Sequence, residues 1–110
     1  MTTARVEAEV RGDTACITIS GEIDLANANL VQDQIHAAIT NDVTIVMLDL
    51  SGLDYLDSAG LRVLFTLADR LRVLQMGLEL LVAPQSAVRK AVELSGLEPL
   101  ARLRPGPARD

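Results

Sequence analysis

The 110-residue sequence has very few aromatic residues and a single cysteine. Tyr55 and Phe65 are its only aromatic residues, tryptophan is absent, and Cys16 stands alone. Single-stranded nucleic acids bind by stacking on aromatic side chains, and their phosphates repel a chain with a net charge of −5. One cysteine excludes an intramolecular disulfide and any zinc site built on several thiolates. We therefore expect a protein that binds no nucleic acid and no structural zinc.

The sequence also lacks any apolar run long enough to span a bilayer, and its first ten residues show no signal-peptide pattern. With 49% hydrophobic residues, the chain has enough apolar surface for one core. We expect a cytoplasmic, monomeric protein with no membrane contact. Its single domain is predicted to cover residues 1–103, and the Pro- and Gly-containing residues 104–110 are predicted to form a disordered tail.

Hydrophobic periodicity predicts the order of helices and strands. Alternation over residues 5–11 and 14–20, joined by Gly12-Asp13, predicts a hairpin. Helical spacing predicts three helices, over residues 26–40 with Asp24 as N-cap, 58–74, and 85–95 closed by Gly96. Apolar runs predict a strand covered on both faces over residues 43–48 and another buried strand over 78–83, and residues 100–103 suggest an edge strand.

Strands that alternate with helices imply a parallel sheet with right-handed crossovers, and the opening hairpin makes that sheet mixed. The predicted fold class is therefore α/β. We expect one domain with a mixed sheet of four to five strands, an opening antiparallel hairpin, a mainly parallel remainder and three helices.

The second predicted helix begins with the run Asp57-Ser58-Ala59-Gly60-Leu61. On one interpretation Asp57 or Ser58 only caps this helix, because both residue types are preferred N-caps. On the other, Asp57 caps the helix, Ser58 faces outward, and Gly60 leaves the surface beside the hydroxyl open to a partner. The second interpretation agrees with the position of the run after a parallel strand, where open α/β sheets usually carry function.

Three enzymatic or metal-binding alternatives fit the sequence less well. Asp49 ends an apolar strand, as a phospho-accepting aspartate does in a receiver domain. A receiver domain also needs a lysine near its last strand, but the only lysine here, Lys90, is predicted on a helix. We expect Asp49 to accept hydrogen bonds from backbone amides in the loop before Ser58. His36, the only histidine, is predicted to face solvent, and the sequence around Ser58 lacks the nucleophile-elbow pattern of a serine hydrolase.

Five carboxylates could in principle bind a metal ion, but they lack the spacing of a calcium loop. We therefore expect a solvated acidic rim and no metal. These carboxylates are Glu22, Asp24, Asp49, Asp54 and Asp57.

The run from Asp57 to Leu61 closely resembles the phosphorylation-site motif of bacterial anti-sigma-factor antagonists, which are small members of the STAS family. The resemblance covers residues 6–103. Further matches in family order and spacing are Gly21-Glu22-Ile23-Asp24, Asp49-Leu50-Ser51-Gly52, Gly77-x-x-Leu80, Pro84, Val88 and Leu94-x-Gly96-Leu97.

The resemblance implies a STAS fold and a protein that is not an enzyme. In the family, the unphosphorylated antagonist binds an anti-sigma factor, a serine kinase with a Bergerat-type ATP-binding fold, and so frees a sigma factor. The kinase then phosphorylates the antagonist and releases it, and a serine phosphatase restores it. By this resemblance Ser58 is the phosphate acceptor, ATP and Mg²⁺ belong to the kinase, and this chain needs no cofactor. The implied partner contacts are Asp24, Asp57, Ala59, Arg62 and Val63.

The sequence leaves open the type of STAS protein and the role of Tyr55. The chain could instead be a STAS scaffold protein or a transport-system partner that is never phosphorylated. Tyr55 stands where the family often has an aliphatic or small residue, and it is either a partner contact or a cover for the core.

Overall fold

The computed structural model describes residues 3–106, which form six strands, three α-helices and one 3-10 turn. The strands are β1 (Ala4–Arg11), β2 (Thr14–Ile23), β3 (Ile45–Asp49), β4 (Leu53–Leu56), β5 (Gly77–Val82) and β6 (Arg102–Pro105). The helices are α1 (Ala28–Ala37), α2 (Ser58–Val73) and α3 (Ala87–Ser95), with the 3-10 turn at Glu98–Leu100.

All six strands belong to one mixed sheet with the order β1-β2-β3-β5-β6. The hairpin pair β1–β2 is antiparallel and every other pair is parallel, as predicted. The hairpin turn is Gly12-Asp13, and Gly12 has a φ of 62°, which glycine adopts readily. The α/β fold with a mixed sheet and three helices is confirmed.

The sheet has one more strand than the sequence predicts. Strand β4 pairs with the second half of β2, beyond the point where β3 ends. It has only four residues, too few for periodicity to reveal, and it is held by pairing to a distant segment. The short loop predicted before Ser58 therefore contains a strand.

The helices lie on one face of the sheet. The crossovers β2–β3, β3–β5 and β5–β6 all move in the same direction along the sheet, so right-handed connections place their helices on the same side. Burial agrees, because one face of the central strands is fully buried. Its residues are Ala15, Ile17, Ile19, Val46, Leu48, Leu78, Leu80 and Val82.

The opposite face is only partly buried, and the prediction that residues 43–48 form a strand covered on both faces is wrong. Ile45 and Met47 on β3 are of intermediate exposure, as are their neighbours Cys16 and Leu81. Alternating residues of a strand point to opposite faces, so this apolar run reaches both faces while the three helices cover one.

The last strand runs past residue 103, where the sequence predicts a disordered tail. Arg104 pairs with Leu81 in the sheet, and its Nη1 lies 2.9 Å from Oε1 of Glu79. The amide of Gly106 donates to the carbonyl of Val82 at 2.8 Å. These contacts hold residues 104–106 against β5, and residues 107–110 of the predicted tail lie outside the described residues.

Candidate functional site

Ser58 is the first residue of α2 and its side chain is exposed. The residue before it, Asp57, is extended and caps the helix: Oδ1 accepts from the amides of Ala59 at 2.9 Å and Gly60 at 3.1 Å. Two of the amides that a helix start leaves without intrahelical partners are thereby satisfied. The structure therefore matches the second interpretation of the motif, in which Asp57 caps and Ser58 faces solvent.

The other carboxylate oxygen of Asp57 joins two separate loops. Oδ2 accepts from the amide of Leu25 at 3.2 Å, and the backbone amide of Asp57 donates to the carbonyl of Ile23 at 3.2 Å. Asp57 is accordingly half-buried. In this structure its carboxylate holds the β2–α1 loop against the start of α2, and its predicted contact with a partner stays a prediction.

Asp24 organises the β2–α1 loop and does not cap α1. Its Oδ1 accepts from the amide of Ala26 at 2.8 Å, and its carbonyl accepts from the amide of Ala28 at 2.9 Å. The helix starts at Ala28, two residues later than predicted, with Asn27 at the N-cap position. The Asn27 side chain accepts from the amide of Asp24 at 3.0 Å and donates to the carbonyl of Glu22 at 2.9 Å. The prediction that Asp24 is the N-cap is wrong, because its carboxylate closes a turn before the helix begins.

The three predicted contacts on α2 have different exposures. Arg62 is exposed, and Ala59 is half-buried and packs against the core. Val63 is only 3% exposed, which leaves little of its side chain for a partner to contact, and its predicted partner contact stays a prediction. Val63 follows Gly60 by three positions and precedes Leu67 by four, which places it on the buried stripe of the helix.

Gly60 also faces inward, contrary to the expectation that it opens the surface beside Ser58. A Cβ atom at this position would lie 2.8 Å from Cβ of Leu56 and 3.4 Å from Cβ of Ile23. The absence of a side chain therefore lets α2 approach β4 and the end of β2 closely. The motif needs glycine here for packing.

Leu25 lies on the surface beside this site, and none of the predictions from the sequence includes it. Its side chain is 83% exposed, although leucine is usually buried. It follows Asp24 directly in a loop tied to Asp57. A leucine just after a predicted capping residue, outside any predicted strand or helix, was the available signal.

The surroundings of Ser58 are mainly acidic, although the exposed Arg62 lies one turn further along α2. Glu22 and Asp54 are exposed, and Asp24 and Asp57 are partly buried at the same edge of the sheet. Glu22 pairs in the sheet with Tyr55, which is 51% exposed, so the alternative in which Tyr55 covers the core does not hold.

Asp49 is the last residue of β3, and its side chain accepts hydrogen bonds from the following loop, as predicted. Its Oδ1 accepts from the amide of Ser51 at 2.9 Å and from the hydroxyl of the same residue at 2.6 Å. Across residues 3–106, histidine, cysteine and carboxylate side chains form no group of three or more that could hold a metal ion. The described helices include none that is long and apolar enough to cross a membrane.

A family model described as the STAS domain matches residues 5–108. Anti-sigma-F factor antagonist RsfB of Mycobacterium tuberculosis is 31% identical over 90 residues, which are 81% of this chain and 71% of that protein.

Two solved structures show the same fold. The crystal structure of an anti-sigma factor antagonist from Mycobacterium paratuberculosis superposes with a TM-score of 0.84 at 24% identity, covering 94% of this chain and 87% of that one. The Bacillus cell fate determinant SpoIIAA in its phosphorylated form superposes with a TM-score of 0.68 at 25% identity, covering 91% of each chain.

Proposed function

This chain belongs to the STAS-domain family of anti-sigma-factor antagonists, and on that premise we propose that it is a binding switch controlled by phosphorylation of Ser58. In its unphosphorylated form it binds an anti-sigma factor that is also a serine kinase, and so frees a sigma factor for transcription. Phosphorylation releases the chain from this partner, and a serine phosphatase restores it. The chain supplies the binding surface and the acceptor hydroxyl, and the kinase supplies ATP, Mg²⁺ and catalysis.

The exposure of Ser58 at the start of α2 is the observation that carries the proposal. A hydroxyl that capped the helix would be occupied by backbone amides, but Oδ1 of Asp57 takes that role. In the transfer, Oγ of Ser58 attacks the γ-phosphorus of ATP, its proton passes to a base of the kinase, and ADP leaves. The relative SpoIIAA has been solved in a phosphorylated form, and we extend that modification to this chain.

The fold is expected to tolerate a phosphate at Ser58. A phosphoserine adds about −1.5 to −2 charges at neutral pH. The start of α2 carries the positive end of the helix dipole, which stabilises a nearby anion by about 0.3–1 kcal/mol. The phosphate therefore does not need to unfold or rearrange the helix to act.

Phosphorylation releases the partner through changes at the interface between the two proteins. A partner surface that fits a neutral hydroxyl meets extra volume, three strongly hydrated oxygens and added negative charge beside Glu22, Asp54 and Asp57. A loss of about 3 kcal/mol of binding free energy lowers the affinity by a factor of roughly 150. A local change at one side chain is therefore sufficient to end the complex.

The test compares the affinities of the wild type, Ser58→Ala and Ser58→Asp for each of the host's anti-sigma factor kinases, measured by titration calorimetry. We expect Ser58→Ala to bind like the wild type and to accept no phosphate. Ser58→Asp should bind at least ~10-fold more weakly, since even a loss of about 1.4 kcal/mol has that effect.

Thr40→Asp is the matched control for added charge. Thr40 is exposed and follows α1, which runs back from the Ser58 edge of the sheet to the opposite edge. The Thr40→Asp variant should bind the kinase with the affinity of the wild type. Equal affinities of the wild type and Ser58→Asp would contradict the release argument, and binding to none of the kinases would favour a scaffold or transport-system role.

A further inference from the structure

Leu25 is the most exposed of the large hydrophobic side chains in the described part of the chain, with 83% of its surface in solvent. Its backbone is nevertheless fixed on both sides. Its own amide donates to Oδ2 of Asp57 at 3.2 Å, and the next amide, that of Ala26, donates to Oδ1 of Asp24 at 2.8 Å. Because these hydrogen bonds already order the backbone of the loop, little further backbone ordering is needed when the leucine is bound.

The same carboxylate places Leu25 beside Ser58. Oδ2 of Asp57 contacts the amide of Leu25, while Oδ1 contacts the amide of Ala59, the residue after Ser58. A specific interface covers about 800 Å² on each partner. An interface of that size around Ser58 is large enough to include Leu25 as well.

The charges around Leu25 indicate which side chains a partner surface needs in order to bind there. The nearby side chains Glu22, Asp24, Asp54 and Asp57 are carboxylates on a chain of net charge −5. A complementary surface has cationic side chains at its rim and an apolar hollow for the leucine at its centre.

We infer that Leu25 is the apolar anchor of the partner interface and inserts into an apolar pocket with a basic rim on the anti-sigma factor kinase. This inference rests on the proposed function and adds to it the residue that gives affinity. Ser58 reports the phosphorylation state, while Leu25 supplies binding free energy that does not depend on that state. The residues that give an interface most of its affinity lie near its centre, with their side chains in well-packed, desolvated pockets.

The experiment uses the full chain and the host kinase that binds the wild type. Leu25→Ala removes most of the leucine side chain and keeps the backbone amide, which still donates a hydrogen bond to Asp57. We expect it to bind about 10-fold or more weakly, the loss that follows when a buried leucine contact is removed. The KM for phosphorylation of Ser58 should rise by a similar factor, while kcat stays within twofold.

Two further variants separate an anchor from a general effect. Leu25→Met keeps an apolar side chain of similar volume and should restore most of the affinity. Val73→Ala removes an apolar side chain that is 69% exposed at the far end of α2, about 22 Å from Ser58. It should bind like the wild type, and the thermal midpoint of Leu25→Ala should match that of the wild type because the leucine lies in solvent.

The outcomes distinguish this inference from the proposed function. If Leu25→Ala binds as tightly as the wild type, or if kcat falls while KM is unchanged, the anchor role is wrong and the phosphorylation switch stands. If the wild type itself binds none of the host kinases, the proposed function fails and the anchor role fails with it.

Discussion

Replacing Asp57 by alanine tests how the phosphorylation site is built. The substitution leaves the amides of Leu25, Ala59 and Gly60 without their carboxylate acceptor. Loss of a helix N-cap costs about 0.5–2 kcal/mol. The bond to Leu25 is solvent-exposed, so we assign it about 1 kcal/mol. With both losses, the free energy of unfolding should fall by about 1.5–3 kcal/mol.

Asp57→Asn divides this loss into two parts. Asparagine keeps an oxygen for the amides of Ala59 and Gly60 and is itself a good N-cap. Its amide nitrogen, however, cannot accept from Leu25, and the charge at the helix start is gone. We expect a loss of about 1 kcal/mol.

Urea denaturation and thermal melting measure both variants. For a domain of this size 1 kcal/mol corresponds to about 4 °C, so the midpoint should fall by about 6–12 °C for Asp57→Ala and by about 4 °C for Asp57→Asn. Asp42→Ala, in an exposed turn, is the matched control and should stay within about 0.5 kcal/mol of the wild type. An Asp57→Ala protein as stable as this control would refute the joining role of the carboxylate.

Two other predictions concern packing and pH. Gly60→Ala places a Cβ atom 2.8 Å from Cβ of Leu56, so it should cost about 1–3 kcal/mol although alanine favours helices, and an unchanged urea midpoint would contradict this packing. His36 is half-buried, contrary to the prediction that it faces solvent, and this burial lowers its pKa below the ordinary 6.5. The guanidinium of Arg70, 3.0 Å from Nδ1, lowers the pKa further. The unfolded chain then binds the proton more readily, so stability is full above pH 6.5 and declines as the pH falls below it. His36→Gln should flatten that decline between about pH 7 and 5, and an identical pH profile would show that another group causes it.

The features that the sequence predicts well depend on neighbours along the chain. Asp57 caps the helix that follows it, and Gly96 ends α3 with a φ of 85°, because caps are set by residues within a turn of the helix end. The Gly12-Asp13 turn and the order of helices and parallel strands follow from similarly local patterns.

The features that it misses depend on contacts between distant segments. Strand β4 exists because it pairs with the end of β2, and the outward position of Leu25 is fixed by Asp57, which lies 32 residues away. The inward direction of Gly60 and Val63 depends on which side of α2 meets the sheet. A sequence pattern gives the helix, but the rotation of its first turn follows from tertiary packing.

The most direct test of the central claim is site-mapped mass spectrometry of this protein after incubation with ATP, Mg²⁺ and each of the host's anti-sigma factor kinases. We expect one phosphate on Ser58, no phosphate on the Ser58→Ala variant, and loss of kinase binding in the modified protein. Stable binding to a kinase with no phosphate on Ser58, or a phosphate on another residue, would contradict the switch.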